Sequence, residues 1–362
     1  MRKISIVAAA TLTLVGSALA QGPSNGKVVR EPNGVIRIID GVVPQSAILS
    51  EGAKAAMQRP TEGPGSAQSA PAQQPATMAE RRIQMNANLQ PRVTRMRALY
   101  AVDIEETTID GISVAIITPK GGVPERNKNR IMLNVPGGGF VTGIRANGLF
   151  ISIPVAALGQ MKVVTALYRQ GPEARFPAAT EDFMKVYKWA LKDHNPKAIG
   201  MFGCSAGGLL VAETIAAAIQ AGTPAPGAAG VYCSGLSARF DGDSQNFSQL
   251  LSNGGSTNNQ NVIATGPDGY FNGVDTTLPA VSPVNDPALL AKFPPTIFAT
   301  GSRDFAWSQA ALAHRELLKA GVESDLLIYD GLGHGFMTNP DTPESKDLYA
   351  ITVKFYDKHL AR

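Results

Sequence analysis

From Val102 to the end of the chain, short apolar runs alternate with longer stretches in which apolar positions recur every three or four residues. The short runs predict strands, and the spaced stretches predict amphipathic helices. Val102–Ile109 and Ile112–Thr118 read as two strands joined at Asp110 and Gly111, a pair that favours a tight hairpin turn. Arg130–Val135, Lys162–Leu167, Ala198–Phe202, Ala228–Ser234, Pro295–Thr300 and Ser324–Tyr329 read as further strands. Helices are expected at Pro177–Lys192, Leu209–Ala221, Trp307–Ala320 and Pro343–Leu360, and one more stretch reads as helical up to Gly159. This alternation predicts an α/β fold, a mostly parallel central sheet with helices on both faces. Sheets of that kind handle ligands at the carboxyl ends of their strands.

Ahead of Val102 the pattern is different. Arg2 and Lys3 precede an apolar run from Ile4 to Val15, and small residues follow up to Ala20. Residues 1–20 therefore read as a signal peptide cleaved after Ala20, and the mature chain as periplasmic or secreted. The apolar run is shorter than the roughly 20 residues a membrane span needs, so stable membrane insertion is not expected. Residues 21–76 are rich in Gly, Pro, Ala, Ser and Gln and read as a flexible N-terminal region, with a short strand or hairpin at Val35–Val43 and a linker at Thr61–Ala76. Residues 77–100 are helical and basic, with Ile83, Met85, Leu89, Val93, Met96 and Leu99 as apolar positions. Pro91 is expected to split this cap segment into two helices. The catalytic domain is then 101–362, interrupted at about 236–280 by a polar stretch too long for a connection and read as a lid.

Charge and cysteine usage narrow the partners. The formal charge of +4 over 362 residues falls to +2 without Arg2 and Lys3, which leaves no basic patch, and nucleic acid is not expected as a partner. The two cysteines, Cys204 and Cys233, are too few for a disulfide scaffold; they read as buried small hydrophobes, with a bridge between neighbouring strands as the alternative. Four scattered histidines and two distant cysteines offer no ligand cluster, so no metal and no organic cofactor is expected.

The chemistry centres on Gly203-Cys204-Ser205-Ala206-Gly207, between the strand at Ala198–Phe202 and the helix that follows. Strand, sharp turn and helix are the setting of a G-x-S-x-G nucleophile elbow, in which glycines permit the tight turn and lift the serine hydroxyl out of the fold. A serine needs a base. His194, His314 and His359 sit in or at the ends of helices, whereas His334 lies in a glycine-bracketed loop after the last strand. The base needs a carboxylate, and Asp304, in its own loop after the Pro295–Thr300 strand, is preferred to Asp330. The oxyanion of a tetrahedral intermediate needs N–H donors, for which Ala206 and the run Gly137–Gly139 are placed.

With these residues in view, the stretch from Val102 to the C-terminus resembles the hormone-sensitive-lipase branch of the α/β-hydrolases, bacterial carboxylesterases with an N-terminal helical cap. The resemblance rests on Gly137-Gly138-Gly139-Phe140, Tyr168-Arg169 with Gly171-Pro172-Glu173 and Phe176-Pro177-Ala178-Ala179, the elbow, Ser282-Pro283, Asp304 and His334. It implies an α/β-hydrolase fold, Ser205 as nucleophile, His334 and Asp304 as its partners, and Gly138, Gly139 and Ala206 as oxyanion donors. Pro136 replaces the histidine that normally precedes the glycine run, and Cys204 stands where Asp or Thr is usual. The expected function is an exported serine hydrolase acting on small-molecule carboxylic esters of short to medium acyl chain. Amide, peptide or lactone cleavage on the same triad is the alternative reading, and an inactive binding protein on the same fold is a further one.

Overall fold

The computed structural model describes residues 27–32, 35–39, 43–57, 77–251 and 265–362. The expected leader with its cleavage point at Ala20, and the linker at Thr61–Ala76, lie outside the described residues. The chain divides into one unit ending at Ser46 and another running from Ala47 to Arg362. In the first, β1 (Lys27–Arg30) pairs antiparallel with β2 (Ile36–Ile39), Val28 opposite Ile38, so β2 is the strand expected at 35–43.

The second unit opens with α1 (Glu51–Met57), which the composition of 21–76 conceals. Its apolar contribution is small, Leu49 and Ala53 against Leu332, but Glu344 from the far end of the chain accepts from both the Ser50 N–H and hydroxyl at 2.8 Å. Tertiary hydrogen bonds, not periodicity, order this turn. α2 (Met78–Leu99) is a single helix. The expected break at Pro91 does not occur: the ring is accommodated inside the helix, which is started by a Thr77–Glu80 capping box and fastened along its length by Val93, Met96 and a series of arginines. Proline removes one i to i−4 bond, and tertiary contacts on both sides of it supply what local preference withholds.

The sheet follows in the expected order. It comprises β3 (Val102–Ile109), β4 (Ile112–Pro119), β5 (Ile131–Val135), β6 (Lys162–Ala166), β7 (Ile199–Cys204), β8 (Ala228–Tyr232), β9 (Thr296–Gly301) and β10 (Ser324–Tyr329). Across the sheet the strands run β10-β9-β8-β7-β5-β6-β4-β3; the first six are mutually parallel, and β4 and β3 continue it antiparallel. The central strands carry almost only apolar side chains because both faces are covered. Met201 of β7 points into one core layer and Phe202 into the other, the period-two alternation of a pleated strand.

On one face lie α4 (Ala178–Asp193), α5 (Ala206–Gln220) and α8 (Trp307–Lys319); on the other lie α2, α3 (Arg145–Gly159) and α9 (Pro343–His359). The numbering leaves room for α6 (Asp243–Leu251) and the short α7 (Pro287–Leu290). None of the described helices is long and apolar enough to cross a membrane.

Where it is described, the polar insertion is anchored by aromatics. Tyr270 and Phe271 are buried, Tyr270 stacks on Phe140 at 4.8 Å between ring centroids, and its hydroxyl accepts from the Ala179 N–H. Ser282 ties the two ends of the insertion together, accepting from the Ala238 N–H and donating to the Thr276 carbonyl.

Because Pro91 sits exposed in a helix held from outside, Pro91→Ala should restore the missing backbone bond and stabilise the protein by about 1–3 kcal/mol, read as a higher urea midpoint. An unchanged or lower midpoint would contradict this account of α2.

Candidate active site

Parallel strands deliver their following loops to one edge. β5 delivers Pro136–Phe140, β7 Ser205, β9 Asp304 and β10 His334. At Ser205 the backbone itself is forced: it has φ 58° and ψ −126°, a conformation that costs a non-glycine residue on the order of 1–3 kcal/mol. The surroundings over-determine it. A Cβ at Gly203 would collide with the Gly207 carbonyl, and one at Gly207 with the Val135 carbonyl, so β5, β7 and α5 close up only because both positions are glycine. The Ser205 N–H donates to the Tyr232 carbonyl at 2.7 Å, and its own carbonyl accepts from Gly208. α5 accordingly begins at Ala206, not at Leu209 as glycine's poor helix propensity suggests.

His334 and Asp304 are brought together. The ring Nδ1 lies 2.8 Å from Asp304 Oδ1, and since an ionised carboxylate only accepts, Nδ1 carries the proton and Nε2 the free lone pair. Asp304 is 1% exposed and further held by the Thr300 hydroxyl at 2.7 Å and the Ala306 N–H at 2.9 Å. Burial alone would raise the Asp304 carboxyl; the His334 charge and hydrogen bond, with the Ala306 and Thr300 donors, outweigh it and hold the group below the usual carboxylate range. Burial likewise pushes His334 down, but the charge of Asp304 and the bond to it push harder, so the imidazole is raised above 6.5. The rival acid, Asp330, accepts instead from the Ser302 hydroxyl at 2.9 Å. Nδ1 of His194 meets the Asn129 carbonyl, Nδ1 of His314 meets the Ser324 hydroxyl, and His359 lies beside Glu323.

Among the described residues no hydrogen bond joins the Ser205 hydroxyl to the His334 ring. The two face a common wall, for Phe305 stacks on the imidazole at 4.2 Å and also lines the cleft into which Ser205 opens. Such bonds are often long before substrate binds. The cleft encloses about 40 Å³, with Leu209, Phe240 and Phe271 as apolar walls and Gly139 and Ala206 on its polar side. Among the described residues the N–H groups of Gly138, Gly139 and Ala206 donate to no protein acceptor, and Gly139 and Ala206 line the cleft beside Ser205.

Two contacts that shape this loop escape sequence reasoning. The Tyr168 hydroxyl, kept protonated by burial, donates to the Pro136 carbonyl at 2.9 Å and steadies the loop where the resembled family has histidine. Arg82 reaches from α2 to the Val141 carbonyl at 2.7 Å, to the Gly171 carbonyl, and in bidentate fashion to Glu173. It joins the cap helix to the glycine loop, since Val141 N–H donates to Gly138. In the sequence it is one arginine among five; only its partners distinguish it.

Cys204 and Cys233 are both free thiols, so the bridged alternative is not formed. Although far apart in the chain, they are adjacent in space, and Cys233, Asp304 and His334 place potential ligand atoms within 4.8 Å of one another.

Residues 132–338 match the family model described as alpha/beta hydrolase fold. A versiconal hemiacetal acetate esterase of Dothistroma septosporum is 28% identical over 259 residues, which are 68% of this chain and 77% of that relative. Esterase E25 superposes with a TM-score of 0.73 at 27% identity, covering 90% of this chain and 99% of the other. An esterase from the bacterial hormone-sensitive lipase family has the same fold, with a TM-score of 0.68 at 24% identity over 80% of this chain and 94% of the other.

The opposed influences on His334 are separable by NMR. Its ring should titrate above 6.5 in the folded protein and lower in Asp304→Asn than in wild type, because the carboxylate that raises it is gone. A variant titrating at or above the wild-type value would refute the pairing.

Proposed function

The chain belongs to the alpha/beta hydrolase fold family, and on that premise we propose that it is an exported serine hydrolase cleaving small-molecule carboxylic esters through an acyl-enzyme. The observation that carries this reading is the 2.8 Å bond between His334 and a buried, ionised Asp304 beside a cleft lined by Ser205 and bordered by unspent N–H donors. His334 Nε2 takes the Ser205 proton as Oγ attacks the ester carbonyl, and Asp304 holds the tautomer and stabilises the imidazolium that forms. The oxyanion is received by Gly138, Gly139 and Ala206. The imidazolium protonates the departing alkoxide; the same nitrogen then activates water, which releases the acid and regenerates Ser205.

The size of the cleft and its phenylalanine walls support a short acyl group, up to medium length where the group extends along Leu209. A relative whose name specifies an acetate ester agrees with that. The N-terminal pattern at Arg2, Lys3 and Ile4–Val15 supports export. α2 forms the cap, and the described parts of the insertion, 236–251 and 265–280, contribute the lid, with Arg82 transmitting the position of the cap to the oxyanion loop.

Nitrophenyl acetate and butyrate should be turned over far faster than the palmitate ester or acetanilide, and Ser205→Ala and His334→Ala should abolish that turnover; preference for the palmitate ester or the anilide would overturn the substrate class. The rate requires neutral His334, so kcat/KM should fall as pH drops through a value above 6.5, and Asp304→Asn should cost roughly 10⁴-fold while moving that acid limb to lower pH. An acid limb unmoved by the substitution would remove Asp304 from the mechanism.

A further inference from the structure

Three sulfur atoms meet immediately behind the catalytic edge, and the ester chemistry uses none of them. Met337 Sδ lies 3.9 Å from Cys204 Sγ and 3.8 Å from Cys233 Sγ, and accepts from both thiols. They arrive from three separate places: the end of β7, the residue after β8, and the loop that carries His334. Cys233 is held at φ 48°, in the left-handed region that a side chain enters at a cost, and its sulfur accepts from the Gly335 N–H at 3.2 Å.

Sulfur ligands about 2.3 Å from a tetrahedral metal stand about 3.8 Å from one another. Met337 already stands at that spacing from both cysteine sulfurs, so an ion would enter with little movement of these side chains. A fourth donor is at hand, for a ring nitrogen of His334 lies within 4.8 Å of Cys233 Sγ. The donor set selects the ion. Two thiolates with a thioether are soft ligands, and a thioether favours cuprous copper over the harder divalent cations. Of these four residues His334 alone lines a second cavity, about 280 Å³, together with Gly335 and Thr338 on the loop that carries Met337.

We propose that Cys204, Cys233 and Met337, with His334 as fourth donor, form a binding site for one cuprous ion whose occupation blocks the hydrolase. Binding forms the metal–sulfur bonds and releases the two thiol protons to solvent, and no electron changes hands. The copper engages the imidazole on which the proposed mechanism depends, so the inhibition rests on the hydrolase reading above whereas the binding does not.

The test is an anaerobic titration of the full chain against the coloured bicinchoninate complex of Cu(I). Wild type should withdraw one equivalent of copper, with Cys233→Ser and the volume-conserving Met337→Leu each weakening retention at least tenfold. Nitrophenyl acetate hydrolysis should fall in proportion to copper bound and return when excess chelator removes it. Circular dichroism identifies a misfolded variant, and Met337→Leu decides the matter should Cys233→Ser fail to fold. No withdrawal by wild type, equal retention by Met337→Leu, or full hydrolysis with one copper bound would each overturn the site. A wild type without ester hydrolysis would count against the hydrolase reading alone, with the copper titration still deciding whether the sulfur site exists.

Discussion

Two close backbone approaches govern this molecule. Gly203 against Gly207, and Gly207 against Val135, allow β5, β7 and the start of α5 to pack more tightly than any side chain would permit, and the chain between them has to turn through Ser205 in a conformation it would not adopt freely. The strain is local, on the order of 1–3 kcal/mol, and the fully buried strands on either side are what sustain it. The same turn fixes the hydroxyl at the edge of the sheet and places the Ala206 N–H next to it. Since β8, β9 and β10 run parallel to β7, their loops must reach that same edge.

Electrostatics then completes what topology begins. A carboxylate as buried as Asp304 is costly unless its lone pairs are used, and here the Thr300 hydroxyl, the Ala306 N–H and His334 use them. Burial and charge act in opposite senses on both members of the pair, and in both the charged form gains. The result is a base with a fixed tautomer and enhanced affinity for a proton, stacked against Phe305 so that the ring plane is fixed too.

Much of this was legible in the chain. The strands announced themselves as apolar runs because a doubly covered sheet tolerates little else, and β10 falls where the pattern puts it, at Ser324–Tyr329. Gly203-Cys204-Ser205 and the glycines around His334 were visible because the backbone there demands a particular residue type. Asp304 could be preferred to Asp330 because it occupies a strand-end loop of its own, whereas Asp330 shares the loop of His334. What the pattern missed was held by partners distant in sequence. α1 depends on Glu344, and the integrity of α2 across Pro91 depends on docking. The role of Arg82 depends on carbonyls at Val141 and Gly171. The insertion looked uniformly polar because Tyr270 and Phe271 are two residues in a long stretch, although they carry its packing. Cys204 and Cys233, far apart along the chain, come side by side because β7 and β8 are neighbours, as the bridged alternative requires, although no bridge forms.

The central claim is that the strained hydroxyl at the end of β7 is the nucleophile. A fluorophosphonate probe followed by peptide mass spectrometry tests it most directly. The account predicts a single phosphonyl adduct on Ser205, lost in Ser205→Ala and greatly slowed in His334→Ala; an adduct on another residue, or equal labelling of wild type and Ser205→Ala, would contradict it.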